Sequence, residues 1–395
     1  MNAARSHSSQ PSSTALAAAF AEQRQHTRTY LRQLHSEEDW FGPEHPALNP
    51  PVWEWLHLNW FAEHWCLRHA ETGAATHSWL TDADRRFNSA LLAHAERWRT
   101  SYPSLTIARH YDAYVFEAVS AAMADSRCSA YFAALALHHE AMHEENFMRR
   151  AQRLHQPFRM VAAAPLEHND WLYCPAHDMT LGRTGGGEFG FDNEFGTRTV
   201  ALSAFVISRA PVSETAFEDF VLAGGYQHRA WWSEPGWLWR ERRRANHPYY
   251  WQRRDGEWYL ADFTDMRRPS ADRPIRYLNA HEAEAYCAYV SAQQASTLGK
   301  QVCMRLPTAA EWQLAYPQLQ VLPMWEWTAD SFAPYPGFEP GPYTDYSTTS
   351  FGHTRELRGH SPLLHTGLCR HDFRNFFAPQ RRDVCAGFRL CHRAD

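Results

Sequence analysis

The 395-residue chain sets 39 Lys and Arg against 44 Asp and Glu, for a net charge of −5. That leaves no broad basic field for nucleic acid or an anionic membrane, and it points to a small substrate. No apolar run reaches the roughly 20 residues a membrane helix needs, and the polar, Ser-rich stretch from Met1 to Ser13 lacks the apolar segment of a signal peptide, so a cytoplasmic protein is expected.

The length implies two domains. From Thr14 to about Leu154 apolar residues recur at three- and four-residue spacing. This predicts helices over Thr14 to Leu34, Val52 to Glu71, Asp82 to Arg99, Ala108 to Ala124 and Ser129 to Arg153. Long helices joined by loops imply an antiparallel bundle over residues 14–160, an architecture that builds metal sites on its facing inner surfaces.

The second predicted helix, in "PPVWEWLHLNWFAEHW" (Pro50 to Trp65), places His57 on an apolar stripe with Trp53, Trp60 and Phe61. A buried imidazole needs a partner for each nitrogen, and a metal satisfies one of them. The last helix carries "LHHEAMHEEN" (Leu137 to Asn146), where His139 and His143 stand four apart and so share one helix face. The His-Glu-x-x-His pattern by itself suggests a zinc protease with Glu140 as general base. Three neutral histidines would leave an ion's double charge uncompensated and up to three octahedral positions open. Iron(II) can use such positions together, whereas zinc uses one for water, and the ligand count does not choose between them.

After "QPFRMVAAAP" the pattern changes to short apolar stretches separated by Gly, Pro, Asn and Asp, starting with "MTLGRTGGGEFGFDNE". Two helices are expected, Ser213 to Gly225 and Asn279 to Gln294, each opening on a capping residue. Residues 161–395 are therefore expected to form a loop-rich α+β domain. The eight cysteines include no Cys-x-x-Cys pair and fit reduced thiols. With 17 Trp, 17 Tyr, 22 Phe and 24 His, the chain can line a pocket with rings.

Taken together, "WLHLNWFAE" and "HHEAMHEENF" resemble the DinB-like helical domain of the ergothioneine-pathway sulfoxide synthases. "GFDNE", "PVSETAFEDFVLAGGY", "RLPTAAEW", "MWEWTAD", "YPGF" and "RNFFAPQRRDVCAGFRL" resemble, in order, their formylglycine-generating-enzyme-like domain, a C-type-lectin-like fold. The resemblance implies an Fe(II) enzyme that uses O2 to join a chalcogen atom to C2 of the imidazole of hercynine, the trimethylated histidine betaine. His57, His139 and His143 take the places of its metal ligands. Tyr343 in "PYTDY" matches the tyrosine that donates a proton during oxygen activation, Tyr346 its substrate-side neighbour, and Asn375 an amide that binds the hercynine carboxylate. The resemblance makes Glu140 a supporting or helix-surface carboxylate. Arg305, Glu311 and Glu326 are read as members of buried structural networks.

Three departures concern the chalcogen donor. Relatives that take γ-glutamylcysteine carry an Asn-Trp-Asp run followed by an arginine, where this chain has Asn375, Phe376, Phe377 and then Arg381. Phe377 replaces the acid that pairs with the donor's ammonium group, a loss of roughly 2–5 kcal/mol. "RWRTSYPSLTIARH" keeps Arg97 and Arg99 in a different register from the arginines that read the donor's carboxylates, and Met142 stands where those relatives have glutamine. Hercynine and oxygen machinery are kept while dipeptide recognition is lost. This favours the selenium branch, selenoneine synthase with a selenosugar donor, over a sulfoxide synthase using cysteine or γ-glutamylcysteine. Two rival classes are a copper formylglycine-generating enzyme built on Cys385 and Cys391, and a non-catalytic binding protein.

Overall fold

The computed structural model describes residues 12–69, 77–167, 170–185, 189–298, 302–363 and 369–394. The Gly-rich core of "RTGGGEF" and the first eleven residues lie outside them. The chain divides into two compact units, Met1–Arg150 with Gly186–Phe191, and Ala151–Gly185 with Asp192–Asp395. No helix among the described residues is long and apolar enough to cross a membrane.

The first unit is helical. Helix α1 (Ser13–Leu31) opens on Ser12, whose hydroxyl accepts the Ala15 amide, and α2 (Glu37–Phe41) opens on a reciprocal Ser36–Asp39 capping box. Helix α3 (Pro51–Glu63) starts on a proline, whose missing N–H costs nothing in a first turn, and every one of its 13 residues is buried. It was expected to run on as α-helix to Glu71. It instead widens into a π-turn over His64–Arg68, closed by the His69 amide on the His64 carbonyl at 2.7 Å.

The helix expected over Asp82 to Arg99 is broken into α4 (Ala83–Arg86) and a 3-10 turn, His94–Trp98. Local polar competition explains the break. The Asn88 side chain takes the Ala90 amide at 3.0 Å, and the Arg97 guanidinium takes the Leu92 and Ser89 carbonyls. Helices α5 (Leu105–Ala124) and α6 (Ala130–Leu154) follow the expected bounds within three residues.

A buried ionic network ties these helices together. Arg24 of α1, with no solvent exposure, donates to Asp112 of α5 at 2.8 Å and to Glu140 of α6 at 2.9 Å. Thr27 donates to the other Glu140 oxygen, and the Trp55 indole of α3 donates to Asp112. Each buried charge is thus paired and hydrogen-bonded, the condition under which burial is tolerable.

The second unit is a mixed α+β body. Its strands are β1 (Trp171–Cys174), β2 (His177–Arg183), β3 (Gly196–Leu202), β4 (Phe205–Ser208), β5 (Trp251–Arg254), β6 (Glu257–Asp262), β7 (Asp265–Arg267), β8 (Trp325–Ser331), β9 (Arg355–Gly359), β10 (Asn375–Phe377), β11 (Ala386–Gly387) and β12 (Cys391–Arg393). They pair in the orders β1-β4-β12, β10-β9-β8-β11, β2-β3 and β5-β6-β7. Helix α7 (Glu214–Leu222) is capped by Ser213, and α9 (Ala280–Leu298) by Asn279, which exchanges hydrogen bonds with Glu282. Two further helices were not expected. One is α8 (Glu234–Arg243), whose Pro235 and Gly236 sit harmlessly in its first turn; the other is α10 (Ala309–Ala315), opened by a Thr308–Glu311 capping box. Arg305 grips Glu311 through two bonds of 2.6 and 2.7 Å, and Arg389 grips the fully buried Glu326, so these residues do form structural ion pairs.

Candidate functional site

Helices α3 and α6 bring His57, His139 and His143 together, with one ligand nitrogen from each lying within 4.8 Å of the others. His57 and His139 are almost fully buried, and His143 is half-buried. The Phe61 ring lies parallel to His139 at 3.5 Å between centroids, and Trp53 is stacked on His57 at 4.8 Å, so both imidazoles are held between rings. Burial, reinforced by the neighbouring His143, holds His57 and His139 far below the ordinary histidine range. Both are neutral lone-pair donors at physiological pH.

Their hydrogen bonds decide which nitrogen faces inward. His57 Nδ1–H donates to the Phe87 carbonyl at 2.6 Å, which leaves its Nε2 as an acceptor directed at His139 Nε2, 3.2 Å away. His143 Nδ1 lies 2.7 Å from Glu54 Oε1, and the Asn146 amide donates to the same oxygen. The arrangement fits a divalent cation: the outer nitrogens of His57 and His143 are each held by an oxygen, and a cation set among the inner lone pairs satisfies what the protein leaves facing itself. Glu54 was missed by sequence reasoning. Its signal was a buried acid one helical turn before His57.

Glu140 points elsewhere. Its two oxygens are engaged by Arg24 and Thr27, on the side of α6 packed against α1, and burial raises its pKa against the pull of Arg24. The protease assignment of that carboxylate has no geometric basis here. Met142 lies half-buried between the two α6 histidines in sequence.

The second unit gathers most of the other candidates. Tyr343 and Tyr346 form a turn closed by the Tyr346 amide on the Tyr343 carbonyl at 3.2 Å, with ring centroids 5.9 Å apart. Tyr346 meets Phe376 edge-on at 5.5 Å, and Phe376 stacks on Phe332 at 4.2 Å. Asn375, beside Phe376 on β10, pairs with Leu357 of β9, and its side-chain oxygen accepts the Phe376 amide. Phe377 and Arg381 make a separate pair: the guanidinium lies 5.7 Å from the ring centroid and is clamped by Asp383 through bonds of 2.6 and 2.7 Å. Cys385 and Cys391 are buried, and burial pushes the Cys391 thiol far up, which disfavours the thiolate a copper site requires.

Residues 157–317 match the sulfatase-modifying factor enzyme 1-like domain family. The chain is 29% identical to the hercynine oxygenase of Mycobacterium tuberculosis, over 87% of this chain and 91% of that protein. It is 26% identical to the hercynine oxygenase of Mycolicibacterium smegmatis, over the same shares. Among solved structures, Treponema denticola variable protein 1 aligns with 57% of this chain and 95% of its own at 18% identity, with a TM-score of 0.36.

Proposed function

From this kinship with the hercynine oxygenases, we propose that the chain is an iron(II)- and O2-dependent oxidoreductase that forms a carbon–chalcogen bond at C2 of the hercynine imidazole. In this reading the helical unit is a DinB-like metal-binding domain and the second unit supplies substrate recognition. The observation that carries it is the convergence of three imidazole nitrogens from His57, His139 and His143 with no carboxylate among them. Iron(II), when bound there, supplies open coordination positions and the electrons that start oxygen reduction.

The chain's own residues do the rest. Phe87 and Glu54 hold His57 and His143, respectively, in one tautomer. A phenol can pass a proton at its hydroxyl oxygen, and Tyr343 takes that role in this reading. Asn375 donates its amide N–H to the hercynine carboxylate, and the ring faces of Tyr346 and Phe376 suit a trimethylammonium group.

The donor reading favours selenium. With Phe377 in the acid's place and Arg381 neutralised by Asp383, this part of the second unit offers no net charge to an amino-acid donor. A 1-seleno-sugar, with neither ammonium nor carboxylate, suits it better than cysteine or γ-glutamylcysteine. The test is a donor competition, with protein loaded anaerobically with iron(II) and then given hercynine, air and one donor per tube, products read by mass spectrometry. A selenium adduct from the sugar alone supports the reading. A sulfur adduct from cysteine or the dipeptide would make the protein a sulfoxide synthase, and no adduct from any donor would remove the enzyme assignment.

A further inference from the structure

One motif is not absorbed by the proposed chemistry. "GFDNE" ends in a 3-10 turn, Asp192–Glu194, whose three side chains are all buried and none of which is a candidate ligand or substrate contact. Their partners explain the burial. Asp192 Oδ1 accepts a short hydrogen bond from the Ser347 hydroxyl, and the Asn193 amide donates to the same hydroxyl at 3.0 Å. Ser347 is fully buried and directly follows Tyr346. Burial raises the Asp192 carboxyl above its ordinary range, opposed by the Ser347 hydroxyl and by the backbone amides of Asn193 and Gly341, and Gly341 lies two residues before Tyr343. The contacts with Gly341 and Ser347 bracket the segment Pro342–Tyr346.

The same turn reaches the strand that carries Asn375. The Asn193 carbonyl accepts from the buried Arg374 guanidinium at 2.6 Å, and Arg374 is fixed in turn by Glu356 of β9 at 2.7 Å. Glu194 holds Arg370, a few residues upstream of the same strand. A single turn therefore references both the tyrosine pair and β10 to one rigid point.

We propose that Asp192, acting through Ser347, is the positioning residue for the Tyr343–Tyr346 turn, holding the tyrosines in register with Asn375 and Phe376 without touching the reacting atoms. This rests on the assignment of Tyr343 made above, and the experiment separates the two. Ser347→Ala removes the hydroxyl that links Asp192 to the turn, while Asp192→Asn keeps the shape and removes the charge that anchors it. Hydrogen exchange on the full-length protein reads the turn without any chemistry: peptides spanning residues 341–347 are expected to exchange at least tenfold faster in both variants, with those from α9 unchanged. Unchanged exchange in that segment overturns the proposal whatever the activity.

The second readout is a double-mutant cycle. If Asp192 acts through the tyrosine, Ser347→Ala costs tenfold or more in kcat in the parent protein and less than twofold in a Tyr343→Phe background. An equal loss in both backgrounds means general destabilisation and overturns the inference. A Tyr343→Phe protein as active as the parent removes the proton-donor role of Tyr343 instead, and leaves hydrogen exchange to decide on Asp192.

Discussion

Glu54 accepts the Nδ1–H of His143 at 2.7 Å, and one turn further along the same helix His57 presents its Nε2 to the same cluster. Helix α3 thus supplies one candidate ligand directly and fixes a second from behind. Replacing Glu54 with glutamine keeps an acceptor and removes the charge that makes the imidazole a stronger donor. Iron affinity is expected to fall by about 10- to 100-fold, measured by competition with a chromophoric chelator, and unchanged affinity would mean that Glu54 is only a packing residue.

Replacing His57 itself removes both a lone pair and a filled volume. His57→Ala is expected to abolish stoichiometric iron binding and hercynine-dependent oxygen uptake together. A circular-dichroism melt should show a folded protein of lower Tm. Full activity in this variant would sink the metal assignment.

Donor choice should be movable at one position. Phe377→Asp restores an acid beside Arg381, which already lies against this ring. The ratio of kcat/KM for γ-glutamylcysteine over a 1-seleno-sugar is expected to rise at least tenfold, because a donor ammonium regains a charge-assisted partner. A ratio unchanged within twofold would place donor recognition elsewhere.

The acid limb of stability has a traceable source. Burial alone would raise the Asp112 carboxyl, but Arg24 and Arg28 outweigh it and hold its pKa below the ordinary value. A depressed carboxyl stabilises the fold at any pH above its unfolded value of about 4, and that contribution is lost as pH falls through the folded value. Urea midpoints should therefore decline below pH 4. Asp112→Asn should flatten that decline while costing about 3–5 kcal/mol at neutral pH, because Arg24 loses one of its two buried carboxylates.

The three clustered histidines were legible because helix periodicity is local: His139 and His143 stand four apart, and an apolar stripe surrounds His57. Glu54 was not, because on a helix buried on every side no periodicity tells which neighbour an acid will meet. The broken segment from Asp82 to Arg99 misled for a related reason. Its apolar spacing is helical, but Asn88 and Arg97 divert backbone groups through contacts that spacing does not encode. In the second unit the capping residues of α7 and α9 were readable, while α10 lies inside "RLPTAAEW", which was read as a structural motif without a helix assigned to it. The grouping of residues 189–191 with the helical unit is a long-range outcome that no local pattern announces.

Adjacent residues on α6 face in different directions, His139 into the cluster and Glu140 into the grip of Arg24. That grip acts as a rotational detent. A helix side chain ends about 5–6 Å from the axis, so a roll of only ~10° would carry a ligand nitrogen sideways by about 1 Å, several times the tolerance of roughly 0.2 Å for a metal–ligand distance. The aim of His139 and His143 is thus tied to an ion pair that lies outside their cluster, so a change on α1 can misalign both imidazoles without touching either.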